Sequence, residues 1–262
     1  MKTLFKIIWI SLLSTIVNIL TKILVDDNFL AFLKLDEPRL ERFHVEYILI
    51  NIVVFILLTM VFIYGKKYLP STKLSKGIVY SLGISLIWFA LKFEPTPNEK
   101  LMSYILNIIT FFIPMMIYGV FLGYLSSEKE VEYKVTEAFL SSFIYLSAWI
   151  FLRIIYLTFD VSKEEFLVFR GTLWIVLTGV VIGVIFGLLF DVKTKTSKQT
   201  FVWIFLVSAV TFSCFYLLEY TMDGMFNPYR FLALTLDIIA IVVATLISFK
   251  VFEKTPNKQI KE

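Results

Sequence analysis

Three ionisable residues lie inside long apolar stretches of this sequence: Arg153, Glu219 and Asp237. A charged group at the centre of a bilayer costs about 2.5 to 3.5 kcal/mol on insertion scales, unless it is paired or hydrated. The short side chain of Asp237 cannot reach the headgroups, so it must face protein or water. Arg153 lies at a comparable depth. We therefore predict an Arg153 and Asp237 ion pair with Glu219 above it, lining a polar cleft that opens to the outside; the alternative is that the pair only locks helices together.

Other polar residues in the apolar stretches have simpler expected roles. Lys22 and Lys92 stand near the ends of their stretches, where long side chains extend to the headgroups. Asn51 and Asn107 are short amides placed well inside, and such residues typically form hydrogen bonds between membrane helices. We expect these two asparagines to join neighbouring helices.

The residue types required for most catalytic sites are scarce. His44 is the only histidine and Cys214 the only cysteine, so paired-histidine and cysteine-based metal sites are excluded. No GxxxxGK[ST] loop is present to bind nucleotide phosphates. Asp237 with Glu219 is a poor candidate for the two carboxylates of an intramembrane hydrolase. We predict no enzymatic activity, no metal and no other cofactor.

Glycines at intervals of four predict close helix contacts. Gly179, Gly183 and Gly187 share one helix face, and Gly119 and Gly123 share another. A glycine face lets a second backbone approach closely. We expect these faces to pack within the bundle, or else against a protein partner or a second copy of the chain.

The elements that carry these residues are membrane-spanning helices. With 58% hydrophobic residues and a mean hydropathy of +0.82, the chain of 262 residues exceeds the apolar share of about 45 to 50% that is usual for soluble domains. A span needs about 20 apolar residues, and period-2 alternation is absent. We predict an all-α, polytopic membrane protein whose single transmembrane domain, residues 1–252, holds about eight spans and precedes a short basic tail, 253–262. The predicted spans are 3–25, 45–65, 74–93, 102–125, 136–158, 168–190, 200–221 and 229–252.

Several short sequence segments resemble one another in outline. Trp88 to Lys92 and Phe215 to Glu219 each end an apolar stretch with a charge, and Trp149 to Arg153 has the same form. In the spans that run the opposite way, Tyr47 to Asn51, Tyr104 to Asn107 and Leu234 to Asp237 each place a polar residue some way into the span. This pattern suggests duplication of a two-helix hairpin.

The distribution of lysines predicts the orientation. Loops after every second span are rich in lysine, and such loops lie on the cytoplasmic side. We therefore expect both termini to be cytoplasmic, with the first span retained as a signal anchor. The abundance of Phe, Ile, Lys and Tyr favours the plasma membrane of a low-GC bacterium. The small net charge of +4 is dispersed, so nucleic acid is not an expected partner.

Two functional hypotheses follow from these residues. The first is a small permease, or the membrane component of a transporter, that moves a small molecule or ion through the predicted cleft. The second is a non-transporting membrane protein, such as an immunity, sensor or assembly factor, that binds a protein partner through its glycine faces and first outer loop. The lipid bilayer is the one partner that both hypotheses require.

Overall fold

Eight α-helices hold most of the residues that the computed structural model describes, which are 2–25, 38–69, 73–92, 101–126, 135–159, 169–190, 197–223 and 228–253. The first outer loop up to residue 37 and the predicted tail beyond residue 253 lie outside the described residues. A short 3₁₀ turn, Lys66–Tyr68, follows the second helix. The helices are α1 (Lys2–Val25), α2 (Pro38–Gly65), α3 (Lys73–Lys92), α4 (Leu101–Gly123), α5 (Val135–Phe159), α6 (Phe169–Phe190), α7 (Ser197–Asp223) and α8 (Pro228–Glu253).

The composition of these helices fits a membrane. Six of them contain an apolar stretch long enough to cross a bilayer, and α4 and α5 contain shorter described apolar stretches, Ile109–Gly123 and Phe139–Ile155. Backbone groups within a bilayer must be satisfied inside the protein, which a helix achieves through its own hydrogen bonds. The prediction of a polytopic helical membrane protein is confirmed.

The helices alternate in direction, so the bundle has two ends. We call the end with the lysine-rich connections, where α1 begins and α8 finishes, the inner end, and the opposite end the outer end. Among the residues whose side chains are described, the acids Glu46, Glu219 and Asp237 all lie in the outer half. The cations Lys66, Lys67 and Lys198, in contrast, lie at the inner end.

The order of neighbouring helices forms a closed circuit. Within the described residues, α1 packs on α2, α2 on α7, α7 on α8, α8 on α5, α5 on α6, α6 on α3, α3 on α4, and α4 on α1. Adding two to each helix number reproduces the same circuit, and so does adding four. The hairpins α1–α2, α3–α4, α5–α6 and α7–α8 therefore follow one another around the circuit in equivalent positions, and α3 also contacts α7.

Aromatic side chains fill the interior and join helices through their polar atoms. Trp88 of α3 donates its Nε1 hydrogen to the carbonyl oxygen of Thr211 on α7 at 2.9 Å. The hydroxyl of Tyr145 on α5 lies 2.9 Å from that of Thr245 on α8. Because polar groups in the bilayer core must find partners within the protein, these contacts fix the register of the helices around the site.

The predicted glycine faces lie at helix contacts inside the chain. A Cβ atom on Gly119 would come within 3.0 Å of the carbonyl oxygen of Gly77, so α3 and α4 approach backbone to backbone. A Cβ on Gly183 would lie 2.6 Å from the carbonyl oxygen of Ser142 on α5. The remaining predicted glycines behave similarly: Gly123 packs on α3 at Leu74, Gly179 packs on α5 at Leu146, and the Gly187 carbonyl accepts a hydrogen bond from Ser141 of α5. These glycines therefore pack against neighbouring helices of the same chain.

Candidate functional site

Arg153 and Asp237 form a salt bridge between α5 and α8, with 2.9 Å between Nη2 and Oδ2. Arg153 is 2% exposed and Asp237 is 1% exposed, so both charges are enclosed by protein. The structure therefore brings together the two residues that the sequence analysis paired because of their similar expected depth in the membrane. It does not show them lining the predicted open cleft, because neighbouring side chains cover them. We call this contact the buried ion pair.

Tyr216 of α7 completes the buried ion pair, although no sequence pattern had marked it as a site residue. Its hydroxyl accepts a hydrogen bond from Arg153 Nη2 at 3.0 Å and donates one to Asp237 Oδ2 at 3.2 Å. Each charged group thus gains a second polar contact away from water. Hydrogen bonds to ions are stronger than neutral ones, by roughly a factor of two. Three helices, α5, α7 and α8, are held by this one network.

Two tryptophans form the walls around the guanidinium of Arg153. Its Cζ lies 5.2 Å from the ring centre of Trp149 and 5.6 Å from that of Trp174. The two indole rings meet edge to face, with centroids 6.1 Å apart. Trp174 also donates its Nε1 hydrogen to the carbonyl oxygen of Ala90 on α3 at 2.7 Å. A desolvated cation over an indole face is stabilised by about 2 kcal/mol, so these walls offset part of the cost of burying the charge.

Glu219, which the sequence analysis placed above the Arg153 and Asp237 pair, forms an ion pair of its own. Both of its carboxylate oxygens lie 2.9 Å from Lys92 Nζ at the end of α3. Glu219 is largely buried and Lys92 is partly exposed. Lys92 was expected to extend to the headgroups; instead it turns toward α7, because a carboxylate is within reach. We call this contact the outer ion pair.

Exchanging the two charges of the outer ion pair tests whether attraction between them holds α3 to α7. We expect Glu219→Lys alone to lower the free energy of unfolding by more than the double variant Lys92→Glu with Glu219→Lys, since the double variant restores opposite charges. Partly exposed ion pairs contribute about 0.2 to 1 kcal/mol, so the recovery should be of this size. The measurement is thermal unfolding in detergent at low and high salt. Equal losses in the single and double variants would show that the pair has no such role.

A second polar cluster joins α1 to α2. Asn18 donates from Nδ2 to Asn51 Oδ1 at 2.6 Å, and Asn51 donates to the carbonyl oxygen of Tyr47 at 2.8 Å. Lys22 is buried, with its Nζ 4.8 Å from the ring centre of Tyr47, and does not extend freely outward. Asn51 thus forms an interhelical hydrogen bond, whereas the side chain of Asn107 on α4 lies outside the described part of the chain.

A small cavity lies beside this asparagine pair. Its volume is about 10 Å³, close to the room that one water molecule needs. We call it the outer cavity; it is lined by Asn18, Asn51, Val54, Phe55, Trp88, Phe111, Pro114, Met115 and Leu218. Leu218 directly precedes Glu219, and Trp88 lies one helical turn below Lys92. The outer ion pair therefore lies between the cavity and the outer end of the bundle.

Helix α7 links the buried ion pair to the outer ion pair. It contributes Tyr216 to the buried ion pair and Glu219, three residues later, to the outer ion pair. A displacement of α7 would therefore change both networks together.

Searches of protein-family models, curated proteins and solved structures find no match to this chain.

Proposed function

We propose that this integral membrane protein is a small permease, or the membrane component of a transporter, seen here in a closed state. The observation that carries the proposal is the outer cavity, a small and mainly apolar space beside the amides of Asn18 and Asn51, with the pair of Lys92 and Glu219 between it and the outer end of the bundle. A transport pathway needs polar groups at depth and a means of closing them off. Asn18 and Asn51 beside the outer cavity are such polar groups. The outer ion pair is the proposed means of closing them off.

The energetics of the buried ion pair support the same proposal. Burying two charges is costly, and apolar side chains of similar volume often give equal or better stability. Ionisable groups inside membrane helices are mostly associated with ion pathways, substrate sites or proton relays. In the proposed mechanism, separation of Arg153 from Asp237 frees α7, and movement of α7 opens the outer ion pair. The transported species is then a small molecule or ion that contacts these groups.

Cysteine accessibility tests whether the outer ion pair covers the cavity. The chain has one cysteine, Cys214, which is buried, so Cys214→Ala gives a clean background. We introduce Met115→Cys, which lines the cavity, and treat intact cells with a membrane-impermeant methanethiosulfonate. We expect slow labelling with the pair intact. Adding Glu219→Gln should raise the rate by up to about fivefold, since the loss of a pair that contributes at most about 1 kcal/mol to closure changes the open population by that factor.

A matched control separates opening of the cavity from general loosening. Ile241→Cys on α8 is equally buried but does not line the cavity. Its labelling should stay slow when Glu219→Gln is added. If both reporters label faster together, or neither responds, the outer ion pair does not act as a gate.

Transport itself is measured in liposomes that contain the purified chain. Light scattering follows the entry of a panel of solutes, namely inorganic salts, amino acids and sugars, after an osmotic step. We expect at least one solute to enter faster than in empty liposomes, and the double variant Arg153→Met with Asp237→Leu, which leaves no buried charge unpaired, to abolish the difference while the folded protein remains. No excess entry for the whole panel, combined with a Met115→Cys reporter that is never labelled, would contradict the proposal.

The proposal places the chain in the plasma membrane of a low-GC bacterium, with the inner end in the cytoplasm. It assigns no enzymatic step and no cofactor. The non-transporting alternative, a membrane protein that acts on a protein partner, predicts capture of a specific partner and tolerance of substitution at Asp237. Because the glycines described above pack within the chain, such a partner would have to bind another surface.

A further inference from the structure

The inner half of the bundle carries a large apolar groove that the transport proposal does not use. Its volume is about 440 Å³, within the range of about 300 to 1,000 Å³ that is typical of small-molecule sites. It runs between α3, α6 and α7, and we call it the inner groove. Its floor includes the buried residues Tyr80, Trp203 and Val207, and its rim includes the exposed residues Leu82, Val184 and Leu188.

The rim of the inner groove faces the lipid. Val184 and Leu188 are 47% and 45% exposed, one turn apart on α6, and in a membrane-spanning helix such exposed apolar side chains contact acyl chains. Gly83 of α3 deepens the groove, since a Cβ there would meet only Ile185, at 3.8 Å. The groove is therefore long, apolar and open sideways to the bilayer. A hydrocarbon chain fits these properties.

Positive charge lies at the inner end of the bundle, toward which the groove extends. Lys67 Nζ lies 4.7 Å from the ring centre of Tyr68, and that ring lies 6.4 Å from the ring of Trp203 on the groove floor. Lys198, in the first turn of α7, is exposed at the same end. No acidic side chain among those that the structure describes lies at this end. Basic pockets between membrane helices on the cytoplasmic side are typical binding sites for anionic lipid headgroups.

We propose that the inner groove binds one anionic phospholipid, with an acyl chain along Gly83, Val184 and Trp203 and a headgroup against Lys67 and Lys198. The apolar floor selects a hydrocarbon chain, and the lysines select negative charge. This binding is independent of transport.

Native mass spectrometry of the full chain in detergent tests the site. The protein is incubated with equal amounts of dioleoyl phosphatidylglycerol and dioleoyl phosphatidylcholine. We expect one tightly retained lipid per chain, with phosphatidylglycerol preferred. Filling the groove with Gly83→Phe should lower retention about tenfold, whereas Val243→Phe, a lipid-facing change at similar depth on α8, should leave it unchanged. Lys67→Gln should reduce the preference for phosphatidylglycerol about fivefold without removing lipid binding.

Val184→Trp blocks the groove from its rim and gives a second test if Gly83→Phe does not fold. Equal retention in the groove variants and the wild type would overturn the proposal, as would equal binding of the two lipids. Retention of a non-lipid compound that Gly83→Phe displaces would also overturn it. So would a groove variant that changes the oligomeric state, because a second copy would then occupy the groove.

Discussion

Replacing Arg153 with methionine is expected to lower the free energy of unfolding by about 3 to 5 kcal/mol, because it leaves the carboxylate of Asp237 buried without its cation. Tyr216 can donate only one hydrogen bond to that carboxylate, which does not replace a guanidinium. The loss should appear as a lower midpoint of unfolding in detergent and a lower yield of monodisperse protein.

The double variant Arg153→Met with Asp237→Leu should recover most of this loss. It removes both charges and fills the space with apolar atoms of similar size, which is often neutral or stabilising. The single variants and the double variant form a cycle whose coupling energy measures the pair directly. Additive losses in the double variant would show that the contact between Arg153 and Asp237 contributes no coupling.

The same double variant distinguishes a structural lock from a transport element. If the buried ion pair only holds α5 to α8, a stable double variant should keep any solute flux measured in liposomes. If the pair must separate and re-form during transport, flux should be lost although the protein folds. The proposed function requires the second outcome.

The residues of the buried ion pair differ in how readily the sequence reveals them. Arg153 and Asp237 can be selected by counting residues along an apolar stretch, because the cost of an unpaired charge depends on depth alone. Tyr216 cannot, since tyrosine near a helix end is also typical of the membrane interface. Its role depends on the contact between α7 and α8 and on the rotation of α7, neither of which a periodic apolar sequence specifies.

The outer ion pair was missed for a related reason. Depth alone placed Glu219 above Arg153, yet Lys92 is the cation that it contacts. The two residues are 127 positions apart, about half of the chain, and their contact depends on α3 packing against α7. Lys92 also has an ordinary alternative, extension to the headgroups, so its residue type does not favour pairing.

The positions of the similar sequence segments fit the repeat of a two-helix hairpin that the sequence suggests. Trp88 to Lys92, Trp149 to Arg153 and Phe215 to Glu219 lie in α3, α5 and α7, whereas Tyr47 to Asn51, Tyr104 to Asn107 and Leu234 to Asp237 lie in α2, α4 and α8. These matches shift by two or by four helices, and both shifts reproduce the order of neighbours. In the shift by four helices Asn107 corresponds to Asp237, and Lys92 to Glu219, so the two halves of the chain carry different charges at matching positions.

Close backbone packing between α3 and α4 predicts the second large effect. Gly77→Ala should lower the free energy of unfolding by an amount at the upper end of the usual range of about 1 to 3 kcal/mol for overpacking. The added Cβ would lie 2.1 Å from the carbonyl oxygen of Gly119 and 2.5 Å from the backbone nitrogen of Gly123. Both atoms belong to a helix backbone, so no side chain can rotate away and the helices must separate.

Gly83→Ala on the same helix is the matched control. Its Cβ would meet only Ile185, at the ordinary contact distance of 3.8 Å. Alanine is the better helix former by about 1 kcal/mol, so this change should be neutral or slightly stabilising. The two variants carry the same glycine-to-alanine change on the same helix. Their free energies of unfolding are compared in detergent, with circular dichroism as the signal. If Gly77→Ala is as stable as Gly83→Ala, the backbones of α3 and α4 do not meet as described. The relative position of these two helices, which places Trp88 beside the outer cavity, would then be wrong.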